Sequence, residues 1–318
     1  MEQDYYDLQW PRDNIYLSCY AHEILNYRYH WHQTEFELDI LLSGEQEFCR
    51  GTEKFIMCED DVVLTGPGTG HASLAQKEHT SALVLRFSQA VFKPFLKKGY
   101  RFVFPQCLST NDTRNKPEYQ FLRFYAAQIL DAAASGGPYA SLTAKASLEL
   151  LVSTLCRMFD PQMVPIRQDQ GEQHQEIIHR LILYMEEHYR EKITLEDLAA
   201  YFQYNRTYIS TLFKHTTGIN FYEYLIRIRF QEAVMELAVT DKTLTEIAIG
   251  NGFPDLKTFN KRFRDIFGYS PAQYRTRIKT ANMVSRGKHR NLISATHPVV
   301  CEKLHEYLRL PDATTNTP

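Results

Sequence analysis

The sequence predicts an α+β fold, with a small antiparallel β-barrel and a helical hairpin followed by an all-α region. Residues 15–88 contain short apolar stretches separated by turn residues, which is typical of a small all-β unit. From residue 117 onward the apolar residues recur at helical spacing, and the hexapeptide at 194–199 returns about fifty positions later. At 318 residues the chain is long enough for two separate cores.

The β-region contains one stretch of clear alternation. Apolar side chains at 36, 38, 40 and 42 alternate with Glu37, Asp39 and Leu41. This pattern predicts a strand with one buried face. Turn residues follow at Ser43-Gly44 and at 50–52, and further strands are predicted at 54–64 and 81–87. Several short strands in one block indicate a barrel or a sandwich.

The stretch between Pro117 and Phe159 predicts two helices, which Gly136-Gly137-Pro138 separates into a hairpin. The polar segment 161–175 contains two prolines and several glutamines, and we interpret it as a linker. The predicted organisation is therefore a first domain at 1–160, this linker, a second domain at 176–279 and a tail at 280–318. A short helix is predicted within the tail, at 300–308, and no role for the tail follows from its sequence.

The repeated hexapeptide opens a duplicated unit of helix, turn and helix. In each copy a threonine and an acidic residue three positions later have the spacing of a capping box, namely Thr194 with Asp197 and Thr243 with Glu246. Each second helix has a capping residue before it and a glycine after it, at Asn205 and Gly218 in the first copy and at Asp255 and Gly268 in the second. One long helix at 221–239 is predicted to join the copies.

The second helix of each copy has one polar face. In the first copy this face comprises Arg206, Thr207, Ser210, Thr211 and Lys214, and in the second it includes Lys257, Thr258, Asn260, Lys261 and Arg264. Such side chains bond base edges and phosphates in a DNA major groove, although an ordinary helical bundle in water has similar faces. Residues 1–175 carry 16 Lys and Arg against 22 Asp and Glu, whereas residues 176–290 carry 18 against 13. The duplicated region is therefore the basic one, which favours DNA binding.

Residues 176–276 resemble the DNA-binding domain of the AraC/XylS family of transcription regulators. The resemblance is carried by Ile193-Thr194-Leu195-Glu196-Asp197-Leu198-Ala199, by Leu212-Phe213-Lys214 with Gly218, and by Ile247-Ala248, Gly252-Phe253, Phe259, Phe263-Arg264, Phe267-Gly268, Ser270-Pro271 and Tyr274-Arg275. It implies two helix-turn-helix units that reach major-groove segments about 34 Å apart, with DNA contacts on the two polar faces. Pro254 departs from the family pattern. The short side chains at 207, 210 and 211 suggest that the second unit dominates phosphate affinity.

Ligand chemistry in the first domain is concentrated in His30-Trp31-His32, Glu37 and His71. Histidines at i and i+2 of a strand share a face, and a carboxylate with a third imidazole could complete a metal site. The spacing resembles a cupin motif, with Ile24 in place of an expected glycine, and the family resemblance implies a cupin-like barrel that binds an effector. We assign these residues to an effector site without metal, with a carbohydrate as the leading candidate because aromatic rings stack on sugars. A metal-dependent cupin enzyme, such as an isomerase or dioxygenase, is the alternative.

Bulk features restrict the class of protein. No apolar run approaches the roughly 20 residues that cross a bilayer, and the acidic start of the chain lacks the pattern of a signal peptide. Six scattered cysteines without a Cys-x-x-Cys pair indicate reduced thiols. We therefore expect a cytoplasmic, non-enzymatic regulator without a cofactor. Its expected partners are double-stranded operator DNA, a small-molecule effector, a second copy of the chain that pairs through the helical hairpin and, as a further candidate, RNA polymerase.

Overall fold

The computed structural model describes residues 4–24, 26–51, 53–165, 171–281 and 291–309. The first part of the chain forms two antiparallel sheets. The first sheet has the order β1 (Tyr5–Trp10), β2 (Ile15–Glu23), β9 (Ser81–Ser88), β4 (Glu35–Ser43) and β7 (Val62–Thr65). The second sheet has the order β3 (Asn26–His30), β8 (His71–Ala75), β5 (Glu45–Arg50) and β6 (Glu53–Cys58). The α+β class is confirmed, but the described strands form two separate sheets rather than one closed barrel.

Strand β4 corrects two details of the prediction. The apolar residues at 36, 38, 40 and 42 are buried, as expected, and share a core with the helical hairpin. Glu37, Asp39 and Leu41 are also buried, because this opposite face lies within the N-terminal domain. The prediction of a single buried face was therefore wrong. The strand predicted at 54–64 is in fact two strands, β6 and β7, which belong to different sheets. A turn at residues 59–61, with Asp60 in the left-handed region at φ 68°, separates them.

The helical hairpin is present as α1 (Pro117–Ser135) and α2 (Ala140–Met158), and Gly136 ends α1 with φ 61°. A 3-10 helix at Gln89–Phe95 and β10 (Tyr100–Val103) lie between the sheets and the hairpin in the chain. The predicted linker begins as a strand, because β11 (Gln162–Pro165) pairs with β10. Residues 166–170 of the linker lie outside the described residues.

The second part of the chain, which we call the helix-turn-helix region, contains seven helices between residues 171 and 281. They are α3 (Gly171–His188), α4 (Leu195–Tyr201), α5 (Arg206–Thr217), α6 (Phe221–Val239), α7 (Leu244–Gly250), α8 (Leu256–Phe267) and α9 (Pro271–Ala281). Both capping boxes are formed. Asn205 and Asp255 accept backbone hydrogen bonds at the starts of α5 and α8, and Gly218 and Gly268 end these helices with positive φ. The predicted unit and its long joining helix are confirmed.

The described part of the tail returns to the N-terminal domain. Strand β12 (Asn291–Ile293) pairs with β2, and α10 (Pro298–Tyr307) packs against α1. Val300 and Tyr307 are buried in the same core as the hairpin. Residues 282–290 and 310–318 lie outside the described part of the chain. The helix predicted at 300–308 therefore exists and belongs to the N-terminal core.

The second sheet has its outer face against the helix-turn-helix region. Tyr29, Cys49 and Ala72 share a buried cluster with residues of α3 to α6, and Leu74 joins the cluster of α6 to α8. Arg227 of α6 reaches across to the carboxylate of Glu47. Among the described residues, no helix has both the length and the hydropathy to cross a membrane.

Candidate functional site

The two second helices bury one face and expose the other, as their sequences predict. In α5 the residues Ile209, Leu212 and Phe213 are buried, and in α8 the residues Phe259, Phe263 and Phe267 are buried. On the opposite faces, Arg206, Thr207, Thr211, Lys214, Lys257, Lys261 and Arg264 are exposed, while Ser210, Thr258 and Asn260 are half-buried. All ten predicted DNA contacts therefore lie on solvent-facing parts of these two helices.

Three of these residues have distinct surroundings. The Arg206 guanidinium donates to the carboxylate of Glu196, and both side chains are largely exposed, so this pair is easily exchanged for a phosphate. Lys214 lies at the end of α5 and lines a cavity of about 410 Å³ between the two parts of the chain. The Asn260 side-chain oxygen is buried and has no hydrogen-bond partner among the described residues. Lys214 thus borders the same cavity as Glu47 and Lys54 of the N-terminal domain.

Helix α6 holds both units through aromatic contacts. Phe213 of α5 packs edge-on against Tyr224, with ring centroids 5.5 Å apart. Farther along α6, Phe230 lies 5.7 Å from the ring of Phe263 and 6.0 Å from that of Phe267. Because rings at these distances fix both position and angle, α5 and α8 are attached to one rigid helix. The polar faces of α5 and α8 therefore keep a set separation.

Comparison with known proteins agrees with this geometry. A helix-turn-helix domain family model matches residues 198–277. The TetD protein of transposon Tn10 from Escherichia coli is 31% identical over 112 residues, which cover 35% of this chain and 81% of TetD. The match covers most of TetD, and the family model falls within the tandem units. The chain belongs to the AraC/XylS family of transcription regulators. Its matched part is the AraC-type DNA-binding domain.

Another relative matches over a small share of its own length, and two solved structures match over most of theirs. An uncharacterized HTH-type transcriptional regulator of Staphylococcus aureus (strain COL) is 33% identical over 92 residues, and the match spans only 12% of that relative. The DNA-binding domain of AdpA, solved with a target DNA, is 28% identical over 33% of this chain and 94% of that one, with a TM-score of 0.31. ToxT from Vibrio cholerae is 12% identical over 82% of this chain and 97% of its own, with a TM-score of 0.39.

The N-terminal domain brings together four of the five predicted effector-site residues. Glu37 of β4 lies at the centre of this group, which we call the histidine cluster: His30, His32, Glu37 and His71. The Nε2 atoms of His71 and His32 lie 2.8 Å and 2.9 Å from the two carboxylate oxygens of Glu37, and Nε2 of His30 lies 3.9 Å from one of them. The fifth residue, Trp31, lies outside the cluster, with its ring 5.4 Å from that of His179 in α3.

Burial and charge set the protonation of this cluster. Burial alone would raise the pKa of Glu37, but the charge of His71 and hydrogen bonds from the three histidines hold that pKa well below its ordinary value. Burial, together with the charge of His71, lowers the pKa of His30 to about 4. Glu37 is therefore a carboxylate and His30 a neutral imidazole at neutral pH.

The donor set of the histidine cluster fits a transition-metal ion. One ligand atom from each of the four residues can be chosen so that all lie within 4.8 Å of one another. The Nδ1 atoms of two histidines are held from outside the cluster, at 3.3 Å from the Thr69 carbonyl oxygen for His71 and 3.3 Å from the Glu35 carboxylate for His32. Such outer hydrogen bonds orient metal-binding imidazoles, so these four residues could hold an ion through nitrogen and oxygen.

Sequence reasoning missed further residues near these sites. Asp39, two positions after Glu37, is buried, and burial together with the charge of Glu37 raises its pKa well above its ordinary value. Its Oδ2 atom and the Thr65 hydroxyl are buried without a hydrogen-bond partner among the described residues. The sequence did contain a signal for Asp39, because carboxylates at i and i+2 of a strand share a face and Glu37 was already assigned to the site. The pair of Glu47 and Arg227 had no such signal, since its members are 180 positions apart.

Proposed function

We propose that the protein is a sequence-specific DNA-binding transcription regulator whose N-terminal domain senses a small molecule. The observation that carries the first half is the pair of capped helices α5 and α8, both attached to α6, with arginines, lysines and short polar side chains on their exposed faces. Such faces bind phosphates and base edges when they are placed in successive major grooves.

Replacement of Lys257 and Lys261 by alanine tests the DNA interface. Fragments selected from genomic DNA with the wild-type protein provide the site, and affinity is measured over a series of salt concentrations. Each lost phosphate contact lowers the dependence of log Kd on log salt by about 0.9, so the double variant should lose about two units of slope. The matched control is Lys97→Ala with Lys98→Ala, which removes the same charge from an exposed loop of the N-terminal domain. Unchanged binding by the Lys257 and Lys261 variant would remove these contacts from the interface.

The sensing half of the proposal is supported by the interior of the N-terminal domain. The histidine cluster, Asp39 and Thr65 place several hydrogen-bonding groups on buried strands, and two of their oxygen atoms have no partner among the described residues. A polyhydroxylated ligand such as a carbohydrate supplies both donors and acceptors to such groups. The selection of genomic fragments is therefore repeated with a panel of sugars, and a sugar that shifts operator affinity supports this half.

A homodimer is the proposed assembly. Helix α2 exposes the large apolar side chains of Leu142 and Leu150, and Tyr139, the residue directly before the helix, is exposed as well. Leu142 is 67% exposed, and large apolar side chains grouped on one exposed surface are typical of protein–protein contacts. Pairing of two chains through α2 would cover this face and bring two DNA-binding domains onto one operator.

A further inference from the structure

We propose that the histidine cluster binds a divalent transition-metal ion, and that strand β3 transmits the occupancy of this site to the helix-turn-helix region. This role rests on the regulatory function proposed above, because it assigns a ligand class to the sensing domain. The ion would also leave coordination positions for oxygen atoms of a second ligand.

The ligand atoms already lie near the spacing that an ion requires. Nitrogen and oxygen ligands with bonds of about 2.1 Å lie roughly 3 to 4 Å from one another around one ion. The cluster atoms are within 4.8 Å, so binding needs only a small contraction. Of the three histidines, His30 has its Nε2 atom furthest from the Glu37 carboxylate, at 3.9 Å. Binding of an ion should therefore move His30 inward.

Strand β3 connects this movement with the DNA-binding half. Neighbouring residues of a strand point to opposite faces, so His30 points into the N-terminal domain, while Tyr29, and Trp31 directly after the strand, point out of it. The Tyr29 hydroxyl donates to the backbone carbonyl of Thr216 near the end of α5, and Trp31 contacts His179 of α3. Strand β3 and the residue after it thus place a member of the histidine cluster on one face and contacts to two helices of the DNA-binding half on the other.

Strand β8 likewise has one face toward the histidine cluster and the other toward the DNA-binding half. His71 pairs with His30 and faces the cluster, whereas the next residue, Ala72, lies in the buried cluster shared with α3 to α6. Cys49 of β5 pairs with Ala72 and contacts the Arg227 guanidinium at 4.0 Å. Inward movement of β3 should draw Tyr29 away from α5 and open the interface above Cys49.

Metal binding is tested on the full-length chain after dialysis against EDTA. Zn²⁺, Ni²⁺ and Mn²⁺ are titrated separately by calorimetry, and at least one of them should bind with one ion per chain. His30→Gln, at a half-buried position, should weaken that binding at least tenfold, and Glu37→Gln should abolish it. His305→Gln, at an exposed position of α10, is the matched control and should bind as the wild type does. Absence of binding by all three ions, or equal binding by the His30 variant, would overturn the site.

The transmission is tested through the thiol of Cys49. Burial raises the pKa of Cys49 to about 11, so this buried thiol should react slowly with iodoacetamide in the metal-free protein. Serine replaces Cys58, Cys156 and Cys301, the three cysteines that are not fully buried. The bound ion should accelerate labelling of Cys49 at least threefold and change operator affinity in the same titration. A labelling rate that stays constant or falls on metal binding would overturn the transmission.

Tyr29→Phe separates the two halves of this inference. It removes the hydroxyl that bonds to Thr216 and leaves the four ligands in place, so metal affinity should persist while the metal effect on labelling and on operator affinity disappears. Tyr201→Phe, at a residue that is 65% exposed, is the control. Operator binding measured without metal distinguishes the outcomes. Normal operator binding without a metal effect overturns the transmission alone, whereas no specific DNA binding under any condition overturns the regulatory function.

Discussion

Arg227 is a buried guanidinium at the contact between the two parts of the chain. It donates to the carboxylate of Glu47 on the second sheet and, at 3.2 Å, to Glu223 one turn earlier in α6. Burial, together with the charge of Arg262, lowers the pKa of Arg227 to about 10, so the side chain remains charged at neutral pH. Desolvation of these charges offsets much of their attraction, and the pair therefore determines which surfaces meet more than it adds to stability.

Arg227→Met should lower the free energy of unfolding by about 3 kcal/mol, because it leaves the Glu47 carboxylate without its buried partner. Glu47→Gln in the same chain should recover part of this loss. Arg229→Met is the matched control, since Arg229 donates to the carbonyls of Tyr189 and Glu191 within the helix-turn-helix region. The measurement is urea denaturation of the single and double variants. Strict additivity of the Arg227 and Glu47 changes would contradict a direct coupling.

Helix α10 brings the end of the described chain back onto the first domain. Lys303 Nζ lies 2.8 Å from Glu59 and 2.9 Å from Asp60, and the Tyr307 hydroxyl donates to the same Asp60 carboxylate. The Arg123 guanidinium of α1 stands 5.6 Å from the centre of the Tyr307 ring. Together with the pairing of β11 and β10, these contacts hold the chain on both sides of the helix-turn-helix region to the same domain.

Lys303→Met should weaken the packing of α10 and lower the free energy of unfolding by about 2 kcal/mol, since it removes hydrogen bonds to charged groups. Lys98→Met, at an exposed loop position, is the control and should have little effect. Thermal unfolding of both variants measures the difference. An equal melting temperature for the two variants would show that the Lys303 contacts add nothing to stability.

The contacts of Asp60 with Lys303 and Tyr307 predict that the stability of the protein depends on pH. Burial alone would raise the pKa of Asp60, but hydrogen bonds from Lys303 and Tyr307 keep it below its ordinary value. A carboxyl whose pKa is depressed by folding stabilises the protein above its unfolded pKa of about 3.9, and this contribution is lost as the pH falls through the folded pKa. The difference in stability between wild type and Lys303→Met should therefore shrink below about pH 4.

The proposed homodimer would pair through the exposed face of α2. Leu142→Glu with Leu150→Glu should convert a dimer into a monomer of 37.2 kDa, because charged side chains at the centre of an apolar contact cannot be covered. Leu183→Glu is the matched control, since Leu183 is 44% exposed on α3 in the other part of the chain. Light scattering after gel filtration measures the mass. A wild-type mass of one chain would contradict the proposed dimer.

Local sequence signals were sufficient to predict the structure of the helix-turn-helix region. The capping boxes at Thr194 and Thr243, and the left-handed glycines at Gly218 and Gly268, involve groups that lie within about four residues of one another. The apolar spacing of α5 and α8 is equally local, so their polar faces could be assigned to solvent from the sequence. The histidine cluster was predicted in the same way in β3 and β4, and His71 was added through a motif.

The orientation of β3 and the position of the tail could be determined only from the three-dimensional packing of the chain. Which face of β3 meets the DNA-binding half, and hence where Trp31 points, depends on how the second sheet lies against α3 and α5. The return of the tail depends on a contact between Asp60 and Lys303, which are 243 positions apart. No sequence period relates such residues, because their proximity results from the burial of whole surfaces and not from local backbone geometry. The sequence alone therefore established two helix pairs with polar faces and a histidine cluster, while three-dimensional packing joined that cluster to the helices through a single strand.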